Sequence, residues 1–367
     1  TNSSTSQYVT QGFLARAQYS YAEKYFVSGS FRRDASSRFH KDHRWGNFGS
    51  AGVAWLMSQE DFMSGADWVN MLKLKASYGV QGNDDLGSYY PYSDQYTHSY
   101  NEETGEYALV LSYKGNDKLT WESSHSFNVG VDFSLFKGRL TGTMEYYNNR
   151  TEDMLATIPY PPTLGYTSAL ANVGNMSNQG FEMELRGDII RTSDFNWNIY
   201  ANISTNSNKI TKLHEDRKKQ EYDGHFGYSS GSNYYTEGLS RYTYFGNKYA
   251  GVYNEETYAL TGDEVYDPAK GGLAMHYKNV YKTDAQGNVL KDENKAKIVE
   301  KVIATTTYSE ADQYVGEDML AKAFGGFGTG FQYKGFDLSV DFQYQLGGKV
   351  YDGEYQTLMG GMAGYGF

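Results

Sequence analysis

Nine tyrosines crowd two stretches of this chain that lie between its regular segments. Aromatic faces stack on sugar rings and also contact protein partners, so these residues are candidates for binding either kind of molecule. The same side chains would also suit a loop core or an aromatic girdle at a membrane interface. The candidates are Tyr89, Tyr90, Tyr92, Tyr96, Tyr100, Tyr222, Tyr228, Tyr234 and Tyr235.

Four carboxylates on alternating segments are candidates for a glycosidase site. Hydrolysis of a glycosidic bond uses two carboxyl groups about 5–9 Å apart across the sugar. The sequence offers no reason to select a pair, and carboxylates that face water are ordinary. We therefore predict no catalytic residue and no enzymatic activity. The four carboxylates are Asp132, Glu145, Glu182 and Glu184.

Metal and phosphate sites are also weakly supported. The 7 histidines show no HxH or HxxxH spacing, and no cysteine is present to hold zinc. Residues 325–330 are rich in glycine, but a phosphate-binding loop would be followed by a helix, whereas a strand pattern follows here. Residues 284–288 resemble half of a calcium loop, but Lys295 stands where the twelfth-position Glu is required. We predict no metal, no cofactor and a tight turn at 284–288.

The segments that must position these candidate side chains show strict alternation of apolar and polar residues. Residues 127–135 place apolar side chains on one face and small or polar ones on the other, which is the period of a strand. Residues 140–147 repeat this pattern, and Lys137-Gly138 between the two segments predicts a tight hairpin. The apolar residues of the first segment are Phe127, Val129, Val131, Phe133 and Leu135.

Recurrence of this pattern predicts a barrel that spans a membrane. Segments of roughly ten residues suit tilted membrane-spanning strands, whereas strands of soluble sheets are shorter, about five or six residues. Carboxylates and arginine on the polar face fit a water-filled interior. The further segments are 12–21, 25–34, 47–56, 72–80, 181–186, 195–204, 241–251, 325–334 and 336–345.

The links between segments alternate between short and long, as do the turns and outer loops of outer-membrane barrels. For this alternation to hold after 241–251, another strand must precede 325, and 273–282 is the best candidate. The sequence therefore predicts an all-β, transmembrane antiparallel β-barrel with about twelve strands in this chain. The short links are 22–24, 137–138, 188–194 and 334–335, with 57–70 assigned to the same side, and the long links are 82–119, 151–177 and 208–240.

Composition excludes several classes of protein. The 367 residues contain no run of about 18 apolar residues and have a mean hydropathy of -0.66, which excludes a helical membrane protein. Aromatic residues make up 16%, which argues against disorder. A net charge of -11 argues against binding nucleic acid through a broad basic face.

Four motifs, in this order, resemble the SusC/RagA branch of TonB-dependent outer-membrane transporters. Residues 29–39 read GSFRRDASSRF, and residues 74–83 read LKASYGVQGN. Residues 172–182 read NVGNMSNQGFE. The fourth motif is GGFGTG at 325–330, which runs into YKGFDL at 333–338. The resemblance covers nearly the whole chain.

This resemblance implies a 22-stranded barrel filled by an N-terminal plug. No plug or TonB-binding segment precedes the first strand pattern, and 358–367 lacks the alternation of a closing strand. We therefore expect 1–367 to be part of one outer-membrane β-barrel domain, lacking the N-terminal plug and the final strands.

The resemblance also implies active uptake of a bulky nutrient, an oligosaccharide or a peptide, across the bacterial outer membrane. A SusD-like lipoprotein would form a lid, and the TonB complex would act through the plug. Outer-membrane lipid is an expected partner, nucleic acid is not, and transporter–lipoprotein pairs could form dimers. The nine tyrosines then become candidates for contact with substrate or lid. A passive porin or a surface glycan-binding or adhesin barrel is the alternative.

Overall fold

The computed structural model describes residues 5–103, 105–160, 162–166 and 168–354, which form strands joined by turns and short 3-10 helices. No helix in these ranges is long and apolar enough to cross a membrane. The 3-10 helices are Met57–Gln59, Asp61–Met63, Pro162–Leu164, Glu215–Arg217, Tyr258–Thr261, Pro268–Lys270 and Tyr308–Glu310. In chain order the strands are β1 (Thr10–Tyr21), β2 (Tyr25–Ser36), β3 (Trp45–Leu56), β4 (Val69–Asn83), β5 (Gln95–Asn101), β6 (Glu106–Tyr113), β7 (Glu122–Leu135), β8 (Leu140–Glu152), β9 (Leu155–Pro159), β10 (Ser168–Asn172), β11 (Gly174–Arg191), β12 (Phe195–Thr205), β13 (Ser207–Leu213), β14 (Gln220–Tyr222), β15 (His225–Ser230), β16 (Asn233–Thr236), β17 (Thr243–Asn247), β18 (Tyr249–Val252), β19 (Ala274–Tyr281), β20 (Val299–Thr305), β21 (Gln313–Asp318), β22 (Ala323–Tyr333) and β23 (Phe336–Leu346).

Ten strands lie side by side in one large sheet, in the order β1-β2-β3-β4-β7-β8-β11-β12-β22-β23. Neighbouring strands from β1 to β12 are antiparallel. β13 pairs with β11 beyond the end of β12, where Gln179 faces Ser207. The predicted all-β architecture of long antiparallel strands is confirmed. Among the described residues, the expected count of about twelve barrel strands is corrected to ten on this path.

Two segments that the sequence assigned to the barrel lie outside the large sheet. Residues 241–251 divide at Lys248 into β17 and β18, which belong to two different small sheets. The strand expected at 273–282 exists as β19, but it pairs with β18 and β20. Counting 241–251 and 273–282 as spanning strands was wrong, because β18 has 4 residues and β19 has 8, short of the roughly 9–11 that a bilayer requires.

The two ends of the large sheet differ in the length of their connections. The first turn is tight, because Ala22 and Glu23 have φ of 51° and 56° and Lys24 N donates to Tyr21 O at 3.0 Å. The predicted alternation of short and long links holds from 84–121 onward, whereas 57–68 on the short-turn side is longer than 37–44 on the other side. The short-turn end holds the links 22–24, 57–68, 136–139, 192–194 and 334–335, and the long-connection end holds 37–44, 84–121, 153–173 and 206–322.

One face of the large sheet is apolar and uncovered. Val27 pairs with Val53, Val53 with Ala76, and Ala76 with Val129, so one row of apolar side chains crosses four strands. The three valines remain 51%, 54% and 42% exposed. Such a face suits contact with acyl chains, as on the outside of a membrane barrel.

Aromatic pairs stand on this face near both ends of the strands. At the long-connection end Phe13 stacks on Trp45, with ring centres 6.2 Å apart. At the short-turn end Tyr25 stacks on Trp55 at 6.4 Å, and Trp68 on Phe136 at 5.7 Å. Two aromatic girdles that flank an apolar band are typical of outer-membrane barrels.

The chain divides into two compact units. The first contains the large sheet and comprises the described part of Thr1–Lys219, with Glu237–Leu239 and Phe324–Tyr344. The second comprises Gln220–Thr236, Ser240–Ala323 and the described residues from 345 onward. It holds a five-stranded sheet, β14-β15-β16-β17-β21, and the three-stranded sheet β18-β19-β20. The expectation about 358–367 lies outside the described residues.

Candidate functional site

Connections at the long-connection end share one hydrophobic core in the first unit. The core joins residues of 37–44, 84–121 and 153–173 to the strands beneath them. Indole Nε1 of Trp121 also donates to Arg44 O at 2.9 Å, which ties two of these connections together. The links can therefore present side chains in defined positions. The core consists of Phe39, Phe48, Leu86, Leu119 and Trp121, with Val80, Leu155 and Leu170 packed against it.

Tyr89 belongs to a cluster around Arg38. The guanidinium carbon of Arg38 lies 4.6 Å from the ring centre of Tyr8 and 5.5 Å from that of Tyr89, within the range of cation–π contacts. Tyr8 Oη donates to Asp84 Oδ2 at 2.9 Å. Burial and this hydrogen bond raise the pKa of the Tyr8 phenol. Tyr89 keeps 40% of its surface exposed and can offer a ring face to a solute.

Tyr90 and Tyr92 are placed near the same connections. Gln7 N donates to Tyr90 Oη at 3.0 Å. The ring of Tyr92 meets that of His40 edge-on, with centres 6.1 Å apart. Tyr90 is exposed and Tyr92 is half-buried. Both rings thus help to hold the links while leaving part of their surface accessible.

Tyr96 and Tyr100 lie on the two-stranded hairpin of β5 and β6. The register pairs Tyr96 with Leu111 and Tyr100 with Tyr107, so alternate residues of both strands share one face. Tyr96, Tyr100 and Tyr107 are 55%, 53% and 76% exposed. We call this surface the hairpin face, and it consists of Tyr96, His98, Tyr100, Tyr107, Leu109 and Leu111.

An ion pair closes the base of this hairpin. Lys114 Nζ lies 2.9 Å from Asp94 Oδ2, and Gly115 N donates to Asp94 Oδ1 at 2.8 Å. Lys114 and the Gly115 amide hold the pKa of the Asp94 carboxyl below its ordinary value. The carboxylate therefore stays charged at neutral pH and fastens the two ends of the hairpin.

Tyrosines of the second stretch lie in the five-stranded sheet of the second unit. Tyr234 is fully buried, and its ring centre lies 5.7 Å from that of Tyr222 and 5.2 Å from that of Phe245. Burial raises the pKa of the Tyr234 phenol. Tyr228 and Tyr235 stack with ring centres 4.8 Å apart and are half-buried. Tyr234 has no surface to offer a solute, whereas Tyr228 and Tyr235 keep part of theirs.

A cavity of about 670 Å³ lies on the polar face between β1 and β4, towards the long-connection end. Arg32 Nε donates to Asp34 Oδ2 at 2.5 Å, and Arg32 is 61% exposed. Asp34 Oδ1 is buried without a hydrogen-bond partner among the described residues. This site was not predicted from the sequence, although the motif at 29–39 contains both charges. The pattern that could have indicated it is a cation and a carboxylate two residues apart on one strand, which places both side chains on the same face. The polar lining includes Tyr8, Ser30, Arg32, Asp34, Ser50 and Gln81.

Two of the carboxylates considered for catalysis are ion-paired on the same polar face. Lys75 Nζ lies 3.0 Å from Asp132 Oδ1 and 3.2 Å from Glu145 Oε2. Thr143 Oγ1 also donates to Asp132 Oδ1 at 2.7 Å. These contacts join β4, β7 and β8 across the polar face. Their evident role is structural.

The other motifs have structural roles. Asp284 Oδ1 accepts from the amides of Gln286 and Asn288, which confirms the tight turn at 284–288. The glycines at 325–330 lie within β22, where a Cβ on Gly328 would come within 2.5 Å of Asp341 Oδ1. In the ranges that the structure describes, no cluster of His, Cys, Asp and Glu could hold a metal ion.

Comparison with known proteins agrees with this geometry. A family profile described as "TonB dependent receptor-like, beta-barrel" matches residues 1–288. TonB-dependent receptor P39 of Formosa agariphila is 30% identical over 96% of this chain and 34% of its own length. TonB-dependent receptor SusC of Bacteroides thetaiotaomicron is 27% identical over 92% of this chain and 31% of its own length.

A solved structure of the RagAB peptide transporter is similar in fold and in sequence. It matches with a TM-score of 0.70 and 28% identity over 92% of this chain and 33% of that chain. This chain thus spans about a third of the length of the relatives it matches. The profile covers most of the chain, and the strand order and two-faced sheet are those of a barrel wall. The chain therefore belongs to the TonB-dependent receptor β-barrel family, in its SusC/RagA-type branch.

Proposed function

We infer that this chain forms part of the barrel wall of an active importer in the bacterial outer membrane. The full-length protein would take up a bulky nutrient, an oligosaccharide or a peptide, with energy supplied by the TonB complex through a plug. The observation that supports this most is the ten-stranded sheet with one uncovered apolar face, two aromatic girdles and a polar opposite face. Membership of the TonB-dependent receptor family supports the energy source.

We assign solute capture to the cavity near Arg32 and to the exposed ring of Tyr89. The cavity offers the guanidinium of Arg32 and the carboxylate of Asp34, which suit hydrated solutes rich in hydrogen-bonding groups. A ring face such as that of Tyr89 suits a sugar ring or a flat peptide group. A similar solved structure is named as the RagAB peptide transporter, which supports the peptide class.

We assign contact with a SusD-like lipoprotein to the hairpin face. An isolated two-stranded hairpin is marginally stable in water, so a partner that covers its apolar side would stabilise it. Four of its six side chains, Tyr96, Tyr100, Tyr107 and Leu109, are more than half exposed. Exposed apolar surface of this kind commonly marks a protein interface. The lipoprotein is the partner that the SusC/RagA-type family suggests.

Uptake in cells tests this function. Cells that depend on the full-length receptor should grow on its oligosaccharide or peptide, and deletion of TonB should abolish that growth. Growth that survives loss of TonB would contradict active import and would favour a passive porin. Surface binding of the nutrient with no uptake in either strain would favour an adhesin.

A further inference from the structure

A groove lies on the apolar face of the large sheet, next to the short-turn end. Its volume is about 820 Å³, within the range of small-molecule sites. Every residue that lines it belongs to the first unit. We call it the outer groove, and its apolar walls include Leu140, Leu185, Ile189, Ile199, Phe327 and Phe342.

Small residues create this groove. Gly187 pairs with Leu140 on one side and with Ile199 on the other, so a position without a side chain lies between two large ones. A Cβ on Gly187 would lie 3.6 Å from Ile199 Cγ1, which is an ordinary contact. Ala201, beside Leu185, is the second small residue. A longer side chain at Gly187 would therefore fill the groove without a clash at its base.

Positive charge is in excess at the turn end of the groove. Asp188 has Arg186 Nε at 4.0 Å and Arg191 Nη1 at 3.7 Å, so its carboxylate already has two cationic neighbours. Arg139, which lines the groove, takes part in no ion pair among the described residues. The apolar groove thus has, at its turn end, an arginine without a carboxylate partner among the described residues.

We propose that the outer groove binds one phospholipid, with an acyl chain along Leu185, Ile199 and Phe327 and the phosphate on Arg139. The groove is continuous with the uncovered apolar face, so acyl chains would reach it if the sheet spans the membrane. A guanidinium matches a phosphate by charge and by paired hydrogen bonds. This inference rests on the proposed function in one respect, namely that the sheet lies in the outer membrane.

Native mass spectrometry of the full-length receptor tests the proposal. The folded receptor is supplied with phosphatidylglycerol or with diacylglycerol that has the same chains but no phosphate. The wild type should retain one phosphatidylglycerol and much less diacylglycerol. Arg139→Gln should lower retention of phosphatidylglycerol about tenfold and leave diacylglycerol unchanged, because only the phosphate contact is lost. Gly187→Leu should lower retention of both lipids.

Val129→Leu is the matched control, because it enlarges an exposed side chain of the same face outside the groove. It should retain lipid as the wild type does, and heat-modifiable migration checks that each variant folds. Equal retention in all variants, no retention by the wild type, or a peptide in place of the lipid would overturn the proposal. Such a result in a receptor that still imports its nutrient would leave the proposed function standing.

Discussion

Val131 and Asp132 are consecutive residues of β7 whose side chains face opposite sides of the sheet. If the apolar face meets lipid, Val131→Arg should cost about 2–4 kcal/mol of folding free energy near the bilayer midplane. Asp132→Asn should cost about 1 kcal/mol or less, because it weakens a partly exposed ion pair with Lys75 and leaves an amide oxygen that can still accept from Thr143 Oγ1. Denaturant titration of the full-length receptor in lipid vesicles measures both. Equal losses at the two positions would refute the assigned facing.

A substitution of Tyr89 tests whether a single aromatic ring contributes to solute capture. Tyr89→Ala removes an exposed aromatic face and leaves the Arg38–Asp84 contact in place. An aromatic contact is worth about 0.5–1.5 kcal/mol beyond its buried area, so we expect affinity for the solute to fall by about tenfold or somewhat less. Isothermal titration with the purified full-length receptor measures this change.

Tyr228→Ala, in the second unit, should be compared with this variant under the same conditions, because both positions were candidates from the sequence. Barrel assembly should be unchanged in Tyr89→Ala, as judged by heat-modifiable migration. Unaltered affinity for every oligosaccharide and peptide that the wild type binds would reduce Tyr89 to a packing role around Arg38.

At the scale of elements, substitutions in the β5–β6 hairpin test the proposed contact with the lipoprotein independently of solute capture. Replacing Tyr96, Tyr100 and Tyr107 together with Ser removes the exposed rings of the hairpin face and should weaken co-purification of the lipoprotein. Loss of several aromatic anchors at an interface commonly costs more than 2 kcal/mol, so we expect at least a roughly thirtyfold weaker complex. Pull-down of the lipoprotein at graded receptor concentrations measures the effect.

The opposite face of the same hairpin supplies the control. Thr97 and Ser99 alternate with the hairpin-face residues, so Thr97→Ala with Ser99→Ala should leave co-purification intact. If the control weakens the complex as much as the serine variant does, the hairpin as a whole, and not its aromatic face, is responsible.

Low pH should loosen the base of the hairpin. The folded-state pKa of Asp94 lies below its ordinary value of 3.8, because Lys114 and the Gly115 amide favour the carboxylate. The stabilisation is therefore complete above that value and is lost as the pH falls through the lowered pKa. Hydrogen exchange of the Gly115 amide, corrected for its intrinsic pH dependence, should report this loss. Asp94→Asn should abolish the pH dependence, and a wild type with constant protection across this range would contradict the assignment.

At the scale of the whole molecule, the outer edges of β1 and β23 have no neighbouring strand among the described residues. Open sheet edges in lipid leave backbone groups unsatisfied at a cost of several kcal/mol each. Residues 1–367 expressed alone should therefore aggregate, whereas the full-length receptor should assemble. Electrophoresis with and without heating distinguishes the two, and a heat-modifiable, protease-resistant band from 1–367 alone would show that its edges close.

The sequence by itself determined the class of fold and the facing of the long strands. Alternation is a local property with a period of two, so it shows that 127–135 is a strand and which of its residues share a face. Turn residues such as Lys137-Gly138 predicted the hairpins for the same local reason. The four motifs then indicated the family, which the comparisons confirm.

Only the tertiary structure decided which strand pairs with which. Residues 241–251 and 273–282 were predicted as barrel strands, yet β18 and β19 within them pair with each other in a small sheet, because the choice of a pairing partner is not a local property of the sequence. Spacing could not show that Tyr234 is buried whereas Tyr96 is exposed. The outer groove could not be predicted from the sequence either, because Leu140, Gly187 and Ile199 become neighbours only when three strands pair in this register.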